Sequence, residues 1–352
     1  MKRILFVLLG VIAVLLAASI VFAADDDSAP TPQPVIAKTG NITFGGLFQW
    51  WYTSTDSDTA NNSFAFRRCY LDFGGNVAPQ FRWAVRLDAA RKTVTSEVRN
   101  SALLEAMLYY DVSPGNTFAI GQCKIPFGYQ PLQPSGELDT VKRAAIFEIL
   151  GFGDYYDTGV HYIGQFGQFG FLASFVQGQG QNMNDTDDHL DAVARVNWKP
   201  NAVPGLQIGG SIYSGRDGSV GMDRNRWGAH IVYDKGRVGF KGEYAFGNTP
   251  DINRDANGWY ALATYDITNK IEFVGRYEQI DPNNASDDEE MLTATTRSAN
   301  ITEATTKGKI LTAGFNYYMM KQNAKIQLNW MRYEPNDGDT HNEYILNFQI
   351  KV

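Results

Sequence analysis

The stretches TFAIGQCKIPFGYQP (117–131) and FGDYYDTGVHYIG (152–164) determine how we interpret this chain. Each contains the pattern of a β-strand. Between the two strands lies a long interruption, Pro126–Asp154, with three prolines, several carboxylates and the pair Lys142 and Arg143. Compact domains rarely keep so long a connection without a function for it. We therefore predict that Pro126–Asp154 folds into a membrane β-barrel and narrows it.

The amino-terminal residues 1–24 are predicted to be a secretory signal peptide. Basic residues precede an apolar run, Ile4–Phe22, and small residues stand just before Asp25, which is the layout of a signal peptide with its cleavage site. The apolar run is long, so an uncleaved anchor remains the alternative. The segment 25–40 is acidic and rich in proline, and we interpret it as a flexible periplasmic leader before a barrel at 41–352.

The composition excludes some classes of protein. The formal net charge is −7, and removal of Lys2 and Arg3 with the signal peptide makes it −9. An acidic chain argues against nucleic acid as a partner. The chain has 18 Tyr, 21 Phe and 34 Gly, yet its mean hydropathy is −0.28. Such a composition is typical of strands that face lipid on one side and water on the other.

The sequence shows no pattern of an enzyme, a cofactor site or a metal site. Cys69 and Cys123 are the two cysteines, and neither has metal-ligand spacing. We expect both thiols to be unpaired, with a disulfide as the alternative. The four histidines lie in unrelated segments, where we expect polar wall or loop residues, and no nucleophile or phosphate-loop motif is present.

Alternation with a period of two runs through the mature chain. In Phe81–Ala89 and again in Asn342–Val352, apolar side chains fall on one face and polar side chains on the other. This pattern by itself suits a soluble sandwich equally well. The predicted strands lie near 41–53, 63–74, 81–89, 103–112, 117–125, 157–164, 168–178, 189–199, 205–214, 225–233, 238–246, 258–266, 271–280, 308–318, 324–333 and 342–352.

The connections distinguish a barrel from a sandwich. Short links such as 113–116 and 234–237 alternate with long ones such as 178–188, 247–257 and 281–307. Outer-membrane barrels have short periplasmic turns and longer extracellular loops, and their even strand number puts both termini in the periplasm. Lipid offers no hydrogen-bond partners, so the first and last strands must pair. We predict an all-β fold, a transmembrane antiparallel β-barrel of about 16 strands with an inward-folded constriction loop.

Several short motifs resemble the phosphate-selective porin O and P family. They are FRRCYLDFGG (66–75), IGQCKIPFG (120–128), DTGV (157–160), AVARVNW (192–198) and GEY (242–244). The resemblance implies a 16-stranded outer-membrane porin, usually trimeric, whose third extracellular loop folds inward. It also implies that Arg67, Arg68 and Lys124 match the family's central basic residues. Family members that bind phosphate have rows of Lys and Arg residues along the lumen. This chain is acidic, and its sequence does not show such rows.

A pore selects solutes by its diameter and by the charges at its narrowest point. Arg67 and Arg68 are adjacent, so they point to opposite faces unless the strand bulges, and we favour Arg68 for the lumen. Lys124 on a strand and Lys142 with Arg143 on the loop would bring positive charge to the narrowest point. The predicted pore or anion-binding residues are Arg68, Lys124, Lys142, Arg143, Arg67, Arg82 and Arg86.

A structural role is the alternative for each of these charges. Lumenal arginines would then pair with wall carboxylates, for which the candidates are Asp88, Glu105, Glu243 and Glu278. The loop carboxylates would either oppose the basic group across the pore or form salt bridges with the wall; they are Glu137, Asp139, Glu148 and Asp154. The acidic run 287–290 is either a solvated loop or a divalent-cation site at the lipopolysaccharide surface.

The leading functional hypothesis is a Gram-negative outer-membrane porin for passive diffusion of small anions such as phosphate. We expect a homotrimer in contact with membrane lipid and lipopolysaccharide, without a cofactor, a metal or nucleic acid. Two alternatives remain open from the residues. One is a porin for uncharged or cationic solutes, and the other is a non-conducting structural or adhesive barrel.

Overall fold

The computed structural model describes residues 35–36, 40–56, 62–90, 102–152, 155–217, 222–250, 254–282 and 307–352. The predicted signal peptide and most of the predicted leader lie outside these residues. A two-residue strand, β1 (Val35–Ile36), pairs with Asn41 and Ile42.

Sixteen longer strands form one antiparallel sheet, and each predicted strand corresponds to one of them. They are β2 (Asn41–Thr55), β3 (Ser63–Ala78), β4 (Phe81–Asp88), β5 (Leu103–Ser113), β6 (Asn116–Lys124), β7 (Tyr156–Phe166), β8 (Phe169–Val176), β9 (Asp191–Trp198), β10 (Leu206–Asp217), β11 (Met222–Lys235), β12 (Val238–Thr249), β13 (Arg254–Asp266), β14 (Ile271–Asp281), β15 (Gly308–Met320), β16 (Ala324–Pro335) and β17 (His341–Lys351). Among the described residues, no helix is long and apolar enough to cross a membrane.

The sheet closes on itself. Each strand pairs with the next along the chain, and β17 returns to β2 with a register that runs from Glu343 opposite Thr55 to Lys351 opposite Leu47. Closure matters because an open edge in lipid would leave its backbone groups without partners, at a cost of several kcal/mol for each group. The predicted closed 16-stranded barrel is confirmed.

The two faces of the strands have the reverse polarity of a soluble protein. In β12, Phe240 and Tyr244 are exposed, whereas Lys241 and Glu243 are buried. A soluble sandwich would bury the rings and expose the charges. The apolar outer face suits lipid, and the polar inner face lines a lumen.

The connections differ in length at the two ends of the barrel. Turns at one end are short, such as 114–115 and 236–237, while the other end carries long links such as 177–190 and 282–307. One predicted long link, 247–257, is shorter than expected: only 250–253 lie between β12 and β13, because both strands extend further towards that end. The barrel begins and ends on the side of the short turns.

The connection between β6 and β7 folds into the barrel, as predicted. Its apolar residues pack against inward side chains of β9 to β17, and this cluster is the main hydrophobic core. Phe152 stacks on Phe127 at 4.5 Å and meets the edge of Tyr213 on β10 at 5.1 Å. A Cβ built at Gly258 on β13 would lie 3.1 Å from Ile146, so the loop approaches the wall closely there. Residues 153–154 of the predicted loop lie outside the described part of the chain.

Candidate functional site: the constriction

We call Pro126–Phe152 the constriction loop. A carboxylate on β12, Glu243, holds the first part of this loop in place. Glu243 accepts hydrogen bonds from the backbone N–H groups of Tyr129 (2.6 Å) and Gln130 (2.8 Å) and from the hydroxyl of Tyr260 (2.5 Å). Backbone donors that point at a buried carboxylate are strongly held, because the bonds are charge-assisted. The position of Glu243 therefore determines where the loop enters the lumen.

An ion pair on β14 holds the second part of the constriction loop. Arg276 and Glu278 are two residues apart and therefore on the same inward face, with 2.7 Å between their charged atoms. Arg276 donates to the Thr140 hydroxyl at 2.7 Å and to the carbonyl of Lys142 at 2.8 Å, and Glu278 accepts from the N–H of Ala145 at 2.7 Å. No local sequence pattern indicates this anchoring role, because Arg276 and Thr140 are 136 residues apart.

Side chains from β16 and β17 bind the carbonyl groups between these two anchors. Lys325 and Gln327 both donate to the carbonyl of Leu138 at 3.0 Å, and Gln349 donates to the carbonyl of Gly136 at 2.8 Å. The loop carbonyls that no secondary structure satisfies thus find partners on the wall. The constriction loop is fixed against β10 to β17, so β3 to β5 face it across the remaining lumen.

The predicted basic residues of the loop bond to the loop or to the wall. Arg143 is buried and donates to the carbonyls of Gln130 and Gln133 and to the Ser135 hydroxyl. Lys142 pairs with Glu343 on β17 at 2.6 Å. Sequence reasoning placed positive charge near the constriction, and the structure uses part of that charge to hold the loop in place.

Lys124, at the end of β6, lies where the chain enters the lumen. Its ammonium group donates to the carbonyl of Pro131 at 3.1 Å and lies 5.5 Å from the centre of the Tyr156 ring. Lys124 therefore links the end of β6 to the constriction loop.

Two arginines form a column on β4, opposite the constriction loop. Arg82 makes a two-pronged contact with Asp111, with both distances 2.8 Å. Arg86 lies two residues further on the same face and bonds to Asp72 at 2.6 Å and to Glu105 at 3.3 Å. Their side chains remain 42% and 32% exposed, so the guanidinium groups are accessible from the lumen as well as paired.

A β-bulge on β3 changes the prediction for Arg67 and Arg68. Gln49 of β2 stands opposite Arg68, while the next residue, Trp50, stands opposite Phe66, so Arg67 is the extra residue. Arg68 is buried and donates to the Gln49 side chain at 2.8 Å. The guanidinium of Arg67 lies 5.2 Å from the centre of the Trp51 ring.

Trp51 packs against the core inside the barrel, so the contact places Arg67 on the lumenal side together with Arg68. The expectation that Arg67 and Arg68 point to opposite faces would apply only to a strand without a bulge.

Two carboxylates of the constriction loop form salt bridges with the wall. Glu137 pairs with Lys351 at 2.9 Å, and Asp139 pairs with Lys241 at 2.6 Å. These contacts match the structural alternative for the loop carboxylates. Asp154 and the acidic run 287–290 lie outside the described residues.

Other reactive side chains lie on the constriction loop and on the barrel wall. Burial raises the pKa of the Tyr129 hydroxyl on the loop, so this phenol stays neutral at physiological pH. Cys69 and Cys123 are free thiols, as expected. Within the described ranges, no group of His, Cys, Asp and Glu side chains could hold a metal ion.

A closed sixteen-stranded barrel with an apolar exterior, a polar interior and an inward loop defines an outer-membrane porin. The chain belongs to the phosphate-selective porin O and P family, whose model matches residues 42–209 and 208–350. This match confirms the family resemblance seen in the sequence motifs. No curated protein matches the chain.

Solved outer-membrane channels share the fold at low sequence identity. The anion-selective porin from Comamonas acidovorans is similar with a TM-score of 0.65 at 11% identity, over 89% of this chain and 100% of that one. OmpT of Vibrio cholerae has a TM-score of 0.63 at 12% identity, over 91% and 100% of the two chains, and is also known in a trimer form. The channel DcaP of Acinetobacter baumannii has a TM-score of 0.60 at 13% identity, over 90% and 99%.

Proposed function

We propose that this porin lets small solutes diffuse passively across the outer membrane and favours small anions such as phosphate. The column of Arg82 and Arg86 carries the proposal. Both guanidinium groups are about one-third or more exposed to the lumen opposite the constriction loop. Guanidinium is a fixed fork of donors suited to phosphate and carboxylate oxygens. An anion that passes the loop would therefore meet this column.

The surroundings of the column extend the positive wall. Arg67 and Arg68 lie on the neighbouring strand, and Lys124 lies where the loop begins. The family's description names phosphate, and the similar porin from Comamonas acidovorans is described as anion-selective. Both descriptions agree with an anion route along β3 and β4.

A second candidate function is a porin for uncharged or cationic solutes. Asp72, Glu105 and Asp111 neutralise part of the charge of Arg82 and Arg86, and the chain as a whole is acidic. If these carboxylates dominate the local potential, cations pass more easily.

We further propose that three copies assemble in the outer membrane after cleavage of the signal peptide at residue 24. The trimer form known for OmpT supports this arrangement for a similar fold. The apolar outer face would contact neighbouring copies and lipid, and the long loops at the other end would meet lipopolysaccharide.

Reversal potentials across planar bilayers under a potassium chloride gradient test the selectivity. We expect the wild-type channel to prefer chloride, and the double variant Arg82→Gln with Arg86→Gln to lose most of this preference. Arg332→Gln removes a cation that pairs with Glu334 away from the column and serves as the matched control. Cation preference in the wild type would favour the second candidate, and phosphate should reduce the chloride current only if anions are favoured.

The same bilayer measurement separates a channel from a structural or adhesive barrel. A protein that inserts and gives no single-channel current would be non-conducting. This outcome would remove both transport candidates and leave the barrel fold unaffected.

A further inference from the structure

The link between β8 and β9, residues 177–190, is bonded across the long-loop end of the barrel wall. Asn182 bonds to the Gln122 side chain on β6: its N–H donates at 2.6 Å, and its side-chain oxygen accepts at 3.1 Å. The side chains of Asn182 and Gln181 both donate to the carbonyl of Leu103 at the start of β5, at 3.1 and 2.5 Å. A link that begins on β8 is therefore fastened to a strand three positions away. We call residues 177–190 the outer cover.

Both ends of the outer cover are held on the lumenal side of the wall. At its start, the carbonyl of Gly178 accepts from the hydroxyl of Tyr155 at 3.0 Å, and the Tyr155 ring meets Phe152 of the constriction loop edge-on at 5.9 Å. At its end, the buried Asp191 accepts from the hydroxyl of Tyr213, whose ring also contacts Phe152. The outer cover therefore extends from the core beside the constriction loop to β5.

The contacts of the outer cover on β5 and β6 lie next to the proposed anion route. Leu103 is two residues before Glu105 on β5, and Glu105 contacts Arg86 at 3.3 Å. Gln122 is two residues before Lys124 on β6. Residues two apart on a strand are separated by about 7 Å. A solute that approaches Arg86 from the long-loop end therefore passes beside the outer cover.

The outer cover is acidic, and its acidic turn has a defined structure. It contains Asp185, Asp187 and Asp188 and no lysine or arginine. The Asp185 carboxylate accepts from the N–H groups of Asp187 at 3.1 Å and Asp188 at 3.2 Å. The buried Gln179 donates to the Asp187 carboxylate at 3.3 Å, so the turn folds back onto the base of the cover. Three negative charges are thus held at the outer entrance of the pore.

We propose that the outer cover is an electrostatic filter at this entrance, and that Asp185, Asp187 and Asp188 limit how readily anions reach Arg86 and Arg82. Fixed negative charge repels anions and concentrates cations over about one Debye length, roughly 8 Å at physiological ionic strength. The filter opposes the arginine column, so the ion preference of the porin is the balance of the two. This inference rests on the proposed transport function.

Reversal potentials of the full chain in planar bilayers, under a gradient of dilute potassium chloride, test the filter. In the double variant Asp185→Asn with Asp188→Asn, the permeability ratio of chloride to potassium should rise about two- to threefold, for two charges about 10 Å from the path of the ions. Asparagine keeps an acceptor oxygen at 185 and tolerates the φ of 55° at 188, so the turn is retained. In about 1 M salt, where the Debye length is about 3 Å, the difference from the wild type should disappear.

Two further variants separate the position of the charges from their number. Asp337→Asn with Asp339→Asn removes the same charge from the exposed link between β16 and β17 at the same end of the barrel, and it should leave the ratio at the wild-type value. Gln181→Ala with Asn182→Ala removes the anchors on β5 and β6 but no charge. This anchor variant should also raise the ratio, because the acidic turn is no longer held at the entrance.

The outcomes distinguish the filter from the proposed anion route. An unchanged ratio in the Asp185 and Asp188 variant, an equal rise in the Asp337 and Asp339 variant, or a rise that persists in about 1 M salt overturns the filter. The wild-type ratio in the anchor variant overturns the claim that the cover is held in place. The filter is measured as a change from the wild type, so cation preference of the wild type refutes only the anion route. A barrel that does not conduct refutes both.

Discussion

Replacing Glu243 by glutamine should release the entry of the constriction loop without changing the size of the side chain. The carboxylate accepts from the N–H groups of Tyr129 and Gln130 and from the hydroxyl of Tyr260. Glutamine has one acceptor oxygen and turns an NH₂ group towards one of these donors. At least one buried backbone N–H therefore loses its acceptor.

The expected magnitude follows from the number and the kind of bonds lost. A hydrogen bond to a charged group contributes about 1.5–3 kcal/mol, and an unsatisfied buried donor costs a similar amount. If the free energy of local opening falls by about 2–3 kcal/mol, amide exchange at the loop entry accelerates by about 30- to 150-fold. Hydrogen exchange followed by mass spectrometry on peptides that cover Pro126–Glu137 measures this change directly.

Glu105→Gln is the matched control for this experiment. Glu105 also carries a lumenal carboxylate and contacts Arg86 at 3.3 Å, but its described partner is on the wall and not on the loop. Exchange in the loop peptides should stay at the wild-type rate in this variant. Equal rates in Glu243→Gln and wild type would refute the claim that this carboxylate holds the loop.

Three further predictions concern stability. Gly215→Ala should lower the unfolding temperature and cost about 1–3 kcal/mol, because its new Cβ would lie 2.0 Å from the carboxylate carbon of the buried Asp191. Lys351→Gln should leave the unfolding temperature unchanged within error, since its ion pair with Glu137 is about 40% exposed on both sides and such pairs contribute at most about 1 kcal/mol. Arg143→Lys should destabilise the loop and accelerate exchange in its peptides, because one ammonium group cannot replace the fork that bonds two carbonyls and a hydroxyl.

Thermal unfolding in detergent measures the first two changes, and hydrogen exchange measures the third. Gly275→Ala is the control for the glycine variant, because the nearest atom to its Cβ would be at 3.7 Å, an ordinary contact. An unfolding temperature for Gly215→Ala equal to that of Gly275→Ala would contradict the predicted clash. A clearly lower unfolding temperature for Lys351→Gln would show that this exposed ion pair contributes more than about 1 kcal/mol to stability. Unchanged exchange in Arg143→Lys would mean that the fork geometry is not needed.

The strands and their order could be predicted because their signal is local. Alternation with a period of two is a property of ten neighbouring residues, and the position of Pro126–Asp154 between two strands follows from the same pattern. Closure of the barrel followed as well, because lipid tolerates no open edge. The length of the interruption was enough to predict an inward loop.

The contacts that hold the loop depend on tertiary structure. Glu243 and Tyr129 are 114 residues apart in sequence, and Arg276 and Thr140 are 136 apart. No local pattern relates such residues, because only closure of the barrel brings their strands around the loop. The sequence therefore identified Arg143 as a basic residue of the loop. It did not show that the Arg143 guanidinium bonds to other residues of the loop.

The bulge on β3 is a second feature that tertiary structure, and not the local sequence, determines. By its sequence alone, Arg67-Arg68 permits a regular strand with the two side chains on opposite faces or a bulged one with both inside. The choice depends on how Gln49 and Trp50 of β2 pair across the strand. Alternating polarity along the chain determined the barrel. The register between strands and the docking of the constriction loop, which are interactions across long sequence distances, decided which charges face the pore.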